Sequence, residues 1–173
     1  QDQYAAAYGG VRVYKIDKNG EVVVRYLKTD LNILWQKLIL FFTGIKRNAN
    51  EVLITQKEKS EEDNFEILSA LKETQEIGLE QLNALETNNF DRYGRLLNAH
   101  WEVKQKRSPV MSTQEINQWY KLGLENGALG GKLLGAGGGG FLMFYTDDPK
   151  RLIEAMPLKR MAFEWDFLGS RIL

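Results

Sequence analysis

The chain has 173 residues, 43% hydrophobic and 27% charged, which is ordinary for a soluble globular protein and allows one domain with part of another. Its 23 basic and 23 acidic residues balance, so the basic excess of a general nucleic-acid-binding protein is absent. With no cysteine and one histidine, the chain cannot build disulfides, zinc–thiolate sites, thiol catalysis or multi-histidine metal sites.

No apolar run is long enough to span a bilayer and no signal peptide opens the chain, so no membrane partner is expected. The lack of cysteine is compatible with a reducing cytosol, and we expect a cytoplasmic location. The sequence begins Gln-Asp-Gln without a methionine. We interpret it as a fragment whose natural N-terminal part is absent.

The first segment predicts the end of a helix followed by strands. Residues 2–8 are alanine-rich and precede Gly9 and Gly10, a helix stop signal. Alternating residues over 11–16 and 21–27, joined by an Asn-Gly turn, predict a hairpin, and the apolar run 38–43 predicts a third strand.

A soft domain boundary is predicted near residue 56, where a charged and polar stretch runs to residue 64. Residues 1–55 are expected to be the trailing part of an N-terminal domain, and residues 56–173 a C-terminal domain. Because half a domain would leave apolar surface uncovered, the fragment is expected to self-associate or to be poorly ordered there.

Three helices are predicted after the boundary from apolar stripes over 65–85, 90–104 and 116–123. Ser112 with Glu115 has the spacing of a capping box before the third helix, and Gly127 is its stop signal. Asp148 and Pro149 predict the start of a short helix, and residues 160–165 and 170–173 are predicted as final strands.

The most unusual stretch is rich in glycine: seven of the 16 glycines lie between Gly130 and Gly140, and four of them are consecutive. Apolar segments flank it, which predicts a strand, a loop and a second strand. A flexible turn is the simpler interpretation, but a hairpin needs only two turn residues. Bare backbone N–H groups suit an anionic ligand, and Lys132 supplies a point charge suited to phosphate.

Other candidate residues carry weaker signals. Asp2 lies near the chain terminus, where an aspartate is usually a surface residue. His100 lies on an apolar helix face, where a packing histidine is more common than a functional one. Arg47 follows a predicted strand, in the kind of loop that often holds ligand-binding side chains.

The segment from Gly127 to Tyr145 resembles the C-terminal glycine-rich motif of the GHMP kinases, the superfamily of galactokinase, homoserine kinase, mevalonate kinase and phosphomevalonate kinase. Within this superfamily, the sequence of the segment most resembles that of the bacterial D-glycero-D-manno-heptose 7-phosphate kinases. The resemblance covers essentially the whole chain and includes these further segments: Gln1 to Gly10, Leu40 to Gly44 with Arg47, His100-Trp101 with Lys104, Ser112 to Ile116, and Gly169 to Ile172.

The resemblance implies an α+β fold of the GHMP-kinase C-terminal type, with helices packed on one face of a small antiparallel sheet, preceded by trailing strands of the N-terminal domain. It also implies phosphoryl transfer from ATP, with Mg²⁺, to the anomeric C1 hydroxyl of a sugar such as a heptose 7-phosphate. Asp2 matches the family's aspartate, which accepts the proton of the attacking hydroxyl. The residues expected to bind substrate or phosphate are Lys132, Gly135, Ala136, Gly137, Gly138, Gly139 and Gly140, with Arg47, His100 and Lys104 as further candidates.

The family's nucleotide-binding motif precedes its catalytic aspartate, and nothing here precedes Gln1. The principal ATP-phosphate site and the Mg²⁺ ligands are therefore expected in a missing N-terminal half, and the fragment alone is expected to be inactive. Fucose, galactose and other acceptors remain open. So do a non-catalytic module that binds an anionic metabolite and a structural role in which the glycines form only a turn.

Overall fold

A computed structural model describes residues 2–46, 65–106, 112–135 and 137–171 of the chain. Its helices in these ranges are α1 (Asp2–Tyr8), α2 (Leu31–Lys37), α3 (Phe65–Glu86), α4 (Phe90–Lys106), α5 (Gln114–Glu125) and α6 (Pro149–Ala155). Its strands there are β1 (Arg12–Ile16), β2 (Val22–Tyr26), β3 (Leu38–Phe42), β4 (Ala128–Leu133), β5 (Phe141–Thr146) and β6 (Lys159–Met161).

The chain divides into two compact units. The smaller unit combines residues 1–29 with 162–173, and the larger unit spans residues 30–161. The expected division at residue 56 differs from this grouping, because residues 30–46 join the larger unit and the last residues join the smaller one. The boundary position itself lies outside the described residues and stays a prediction.

The smaller unit is built on an antiparallel hairpin of β1 and β2, with Arg12 opposite Tyr26. Its turn forms because the Asp17 carboxylate accepts hydrogen bonds from the N–H groups of Asn19 and Glu21, at 2.8 and 2.9 Å. The Arg12 guanidinium lies 3.7 Å from the centre of the Tyr26 ring, and its Nε donates to Gly9 O at 2.8 Å, at the end of α1. The predicted helix end and hairpin are both confirmed.

The larger unit contains a four-stranded antiparallel sheet in the order β4-β5-β3-β6. Strand residues that share one face of it are almost completely buried: Phe41, Leu133, Leu142 and Phe144. Burial of each such side chain stabilises the fold by about 1.5–3 kcal/mol. Trp101 of α4, Ile116 of α5 and Leu152 of α6 belong to the same core cluster. Helices therefore pack on one face of a small antiparallel sheet, which confirms the predicted fold class.

Strand β3 lies in the interior of this sheet, paired with β5 on one side and β6 on the other. The prediction had placed it among the trailing strands of an N-terminal domain. Its run of five apolar residues, Leu38–Phe42, is typical of an interior strand. The short helix α2 precedes it directly and was not predicted, although Asp30 accepts hydrogen bonds from the N–H groups of Asn32 and Ile33 as its N-cap.

Three local predictions need correction. The N-cap of α5 is Thr113, whose hydroxyl accepts from Ile116 N at 3.2 Å, and the predicted cap Ser112 donates instead to Asn117 Oδ1. The predicted strand at 160–165 is the shorter β6. The described part of segment 170–173 contains no strand, because Ser170 N bonds to Ala6 O beside α1 rather than to a sheet. The start of α6 at Asp148 and Pro149 is confirmed.

Helix α4 is held from two sides. On one side it packs against α3 through Ala70, Ile77 and Val103. On the other side its backbone approaches β4 so closely that a Cβ on Gly130 would collide with Gly94 O. Glycine at position 130 therefore removes the side chain that would hold the helix away from the strand. This close approach positions the α4 residues that face the glycine loop.

Candidate functional site

The glycine loop, residues 134–140, connects β4 to β5 as predicted. Leu134 N donates to Phe141 O at 2.9 Å, which closes the base of the loop. Several of its glycines have positive φ, a region where only glycine is free of strain: Gly135 at 70°, Gly137 at 109°, Gly138 at 74° and Gly140 at 95°. The N–H groups of Gly137, Gly138 and Gly139 make no hydrogen bond to any described residue. The loop thus contains backbone donors without a partner among the described residues, of which those of Gly137 and Gly138 belong to buried residues and that of Gly139 to a partly exposed one.

The C-terminal end of the loop is fixed by the segment that follows β3. Gly140 O accepts hydrogen bonds from both the N–H and the hydroxyl of Thr43, each at 2.9 Å. Gly140 N donates to Ile45 O at 3.0 Å. A Cβ on Gly139 would lie 2.5 Å from Ile45 O, so only glycine lets these two backbones pass. This end of the loop therefore has one defined position.

The N-terminal end of the loop is fixed by a side chain of α4. Lys104 is buried, with 9% of its surface exposed, and its ammonium donates to Leu133 O at 3.2 Å and Gly135 O at 2.6 Å. Buried carbonyl groups need such donors, and a charged donor makes the stronger bond. Lys104 was a candidate substrate-binding residue from sequence, and the structure gives it these two backbone contacts.

Lys132 and His100 form a side-chain pair between β4 and α4. Lys132 Nζ lies 2.8 Å from His100 Nδ1, and both residues are only partly exposed. Burial and, to a smaller extent, the nearby charge of Lys104 together lower the pKa of Lys132 to about 8. Among the described residues no carboxylate lies within 4 Å of the Lys132 ammonium. The structure thus brings three predicted residues together beside the loop: His100, Lys104 and Lys132.

Tyr120 of α5 also supports this region, and sequence reasoning did not identify it. Its hydroxyl lies 3.1 Å from Gly131 O and 2.7 Å from Asn98 Oδ1. Burial raises its pKa well above the usual range, so it stays a neutral donor. Its ring stacks on Phe144 in the core, at 5.5 Å between centroids. The only sequence signal for it was its place on the apolar stripe of α5, which indicates packing.

Asp2 lies in the first turn of α1, in the smaller unit, and is exposed. No residue of α1 is buried. Its catalytic role stays a prediction. Arg47 and Ala136 lie outside the described residues.

Metal sites and membrane spans are both absent from the part of the chain that the structure describes. Within that part of the chain, no group of three or more His, Asp or Glu side chains could hold a metal ion. No helix there combines the length and apolar character needed to cross a membrane.

Residues 81–161 match the family described as GHMP kinases C terminal. The chain is 34% identical over 96% of its length to the D-glycero-alpha-D-manno-heptose 7-phosphate kinase of Campylobacter jejuni, of which it covers 50%. It is 26% identical over 89% of its length to the bifunctional fucokinase/GDP-fucose pyrophosphorylase of Arabidopsis thaliana, of which it covers 15%. The chain thus spans about half the length, or less, of these curated relatives.

Among solved structures, the mevalonate kinase of L. major in complex with R-mevalonate has a TM-score of 0.75. That match covers 99% of this chain and 53% of the other, at 20% identity, which supports the fold alone. The helices on the antiparallel sheet and the glycine loop between β4 and β5 lie within or beside the matched residues 81–161. Residues 81–161 therefore carry the domain described as GHMP kinases C terminal.

Proposed function

We propose that the protein to which this chain belongs is an ATP-dependent sugar kinase that phosphorylates the anomeric C1 hydroxyl of a heptose 7-phosphate. The observation that carries the proposal is the 34% identity to a heptose 7-phosphate kinase along 96% of the chain. The rigidly held glycine loop supports it, because phosphoryl transfer is catalysed mainly by positioning and by electrostatic stabilisation of phosphate oxygens.

In this reaction the sugar hydroxyl oxygen forms a bond to the γ-phosphorus of ATP as the bond to the β–γ bridging oxygen breaks. Asp2 is proposed to accept the proton of the attacking hydroxyl, a role that suits an ionised carboxylate within hydrogen-bond reach. The N–H groups of Gly137, Gly138 and Gly139 are proposed to face phosphate oxygens, and the Lys132 ammonium is proposed to contact phosphate as well.

Mg²⁺, when bound to the nucleotide, neutralises charge on the phosphates. The described residues hold no group of acidic side chains that fits a metal ion. No ligand for Mg²⁺ is therefore assigned to this part of the chain. The chain covers 50% of the heptose 7-phosphate kinase relative, and the remainder of the protein is proposed to supply the nucleotide site and its metal.

The test is turnover by the complete protein, with ATP and a panel of acceptors. Asp2→Asn should lower kcat by about 10²-fold or more, because general-base catalysis contributes that much. Glu76→Gln, which removes an exposed carboxylate of α3, is the control and should leave kcat unchanged. If a folded Asp2→Asn variant keeps full turnover, Asp2 is not the general base.

A second acceptor is favoured by the Arabidopsis fucokinase relative, which is 26% identical to the chain. The acceptor panel should therefore include fucose and galactose beside heptose 7-phosphate. If kcat/KM is at least tenfold higher for fucose than for heptose 7-phosphate, fucose becomes the proposed acceptor. Binding of a phosphorylated metabolite with no turnover of any acceptor would favour a non-catalytic binding module instead.

A further inference from the structure

Helix α1, which carries Asp2, gains little stability from the packing of its own side chains. It has seven residues, and none of them is buried. Isolated helices shorter than about 12–15 residues are marginal in water, so the order of this helix depends on contacts with other segments of the smaller unit. The hydrogen bonds that other residues make to α1 reach its C-terminal end, where the last carbonyl groups of a helix lack partners within the helix.

A segment from the other end of the sequence caps this end of α1. Ser170 donates to Ala6 O through its N–H, at 3.0 Å, and through its hydroxyl, at 3.2 Å. Gly10, just after the helix, donates its N–H to Asp166 O at 2.5 Å. We call residues 166–170 the capping turn, because they satisfy carbonyl and N–H groups at the end of a helix that lies more than 150 residues earlier in the chain.

The shape of the capping turn is set by the Asp166 side chain. One carboxylate oxygen of Asp166, Oδ1, accepts hydrogen bonds from Leu168 N at 2.9 Å and from Gly169 N at 3.2 Å. Aspartate favours such turns because its short side chain reaches the backbone N–H groups that follow it. The turn therefore has a local conformation that does not depend on a buried core.

Two glycines let the capping turn and the end of α1 make direct backbone contact. Gly9 and Gly169 have φ of 62° and 61°, a region in which other residues are strained. A Cβ on Gly169 would collide with Ala7 O and lie 2.8 Å from Gly9 N. A Cβ on Gly9 would collide with Gly169 N and lie 2.9 Å from Leu168 N. Because the two backbones touch, the position of the turn determines the position of the helix end.

We propose that the capping turn positions Asp2 for proton transfer by fixing helix α1, with Gly169 and Asp166 as its main positioning residues. This role rests on the proposed function, in which Asp2 is the general base. Asp2 lies in the first turn of the helix whose other end the capping turn holds, so a shift of the helix moves the carboxylate. A base must lie within about 2.6–3.2 Å of the hydroxyl oxygen that it deprotonates. A misplacement of about 1 Å is enough to lower the rate about 10²-fold.

The first experiment introduces Gly169→Ala into the complete protein and measures steady-state kinetics. The new Cβ displaces the end of α1, so kcat should fall between about tenfold and a hundredfold. The KM values for ATP and for the acceptor should not change, because the base acts in the transition state and does not bind either substrate. Gly20→Ala is the matched control: its φ of 84° imposes similar backbone strain, but a Cβ there meets nothing within 4 Å. The control should leave kcat unchanged.

A second pair of variants tests the capping turn without adding atoms beside α1. Asp166→Ala removes the oxygen that accepts from Leu168 N and Gly169 N, and it should lower kcat by about tenfold as the turn loses its shape. Asp166→Asn keeps an accepting oxygen and should rescue kcat relative to Asp166→Ala. If both variants lose the same activity, the turn does not act through this hydrogen bonding and the role of Asp166 is wrong. This pair decides the question if Gly169→Ala does not fold.

A double mutant separates positioning of Asp2 from general support of the fold. If Gly169 acts through Asp2, Gly169→Ala should lower kcat much less in an Asp2→Asn background than in the parent protein, because the base is already lost. Equal losses in the two backgrounds would overturn the proposal, and so would a parental kcat in folded Gly169→Ala. Both of these results leave the kinase assignment intact, since the parent protein turns over. A parent protein that phosphorylates no acceptor would overturn the proposed function and the positioning role together.

Discussion

The glycine loop of the larger unit and helix α1 of the smaller unit are held in different ways. The loop is fixed at both ends by other residues of the larger unit: the buried Lys104 from α4 at one end, and the buried Thr43 with the partly buried Ile45 after β3 at the other. Helix α1, which carries Asp2, buries none of its residues. A backbone surface that must keep its shape is thus built on the core, whereas a carboxylate is carried on an exposed helix.

Each unit contains the contacts that hold its own segment in place. The larger unit contains every described contact that shapes the loop. The smaller unit fixes α1 through its own residues, chiefly Arg12 and the close backbone approach of Gly9 to Gly169. Substitutions in the two regions should therefore differ both in size and in what they disturb.

The largest effect is expected from Gly130→Ala. Its new Cβ would collide with Gly94 O and lie 2.9 Å from Asn98 N, both backbone atoms of α4 that cannot move independently. We expect a loss of about 3 kcal/mol of unfolding free energy, at the upper end for overpacking. Urea denaturation of the chain measures it. Gly78→Ala in α3, where a Cβ meets nothing within 4 Å, is the control and should stabilise by up to about 1 kcal/mol. If Gly130→Ala and Gly78→Ala change the unfolding free energy equally, α4 is able to move away from β4.

The second effect is a rise in stability with pH that depends on Lys132. Its pKa is lowered from 10.5 to about 8 in the folded state, so the unfolded chain binds more protons between these values. Stability from this group therefore increases as the pH rises, by about 1–2 kcal/mol between pH 7.5 and 9.5. Tyr93 opposes it only above pH 10, because burial raises its pKa to about 12 and the unfolded chain ionises first. The Lys132→Met variant should lack this rise in stability with pH. If the variant shows the same rise, another titratable group causes it.

A third prediction concerns the other end of the loop. Thr43→Val keeps the shape of a side chain that is only 5% exposed but removes the hydroxyl that donates to Gly140 O. We expect a loss of about 1–1.5 kcal/mol, the net value of such a hydrogen bond. Amide exchange at Gly140 should also become faster. Thr87→Val, which removes a hydroxyl bond at the exposed end of α3, should cost less than half as much. An unchanged rate at Gly140 would mean that Ile45 and the backbone N–H of residue 43 fix this end without the hydroxyl.

The smallest effect is expected from Arg12→Ala in the smaller unit. It removes the contact with the Tyr26 ring at 3.7 Å and the hydrogen bond to Gly9 O, at a cost of about 0.5–1 kcal/mol. Amide exchange over α1 should accelerate several-fold, while the amides of β4 serve as the internal reference. Protection of α1 that survives the substitution would show that Gly9 and Gly169 hold the helix without Arg12.

The fold could be predicted wherever a local sequence signal determined a helix, strand or turn. The hairpin at Asp17 and the start of α6 at Asp148 follow from local turn and capping chemistry. The place of β3 could not be predicted in the same way, because its partners lie about 100 residues further along the chain. Nothing local to residues 38–42 distinguishes a strand at the edge of one domain from a strand inside another sheet.

The residues of the candidate site were predicted from their types and spacing in the sequence. The contact that each of them makes in the fold was not predicted. The glycine run indicated a loop with bare backbone, but only the structure shows that Lys104 is directed at carbonyl groups and Lys132 at His100. Thr43 gave no signal, because a threonine at the end of a strand is unremarkable in sequence. Its role comes from a contact with Gly140, 97 residues away.

The same separation has a consequence for the order in which the protein is made. Strand β3 leaves the ribosome about 100 residues before β5, its partner on one side, so at 5–20 residues per second it waits roughly 5–20 s. During that time the run Leu38–Phe42 is an unpaired, uncharged strand with strong β-propensity, which is the signature of an aggregation-prone segment. The nascent chain should therefore depend on a chaperone until Phe141–Thr146 emerges, and a lysine placed at the half-buried Leu40 should ease that dependence at the cost of the finished sheet.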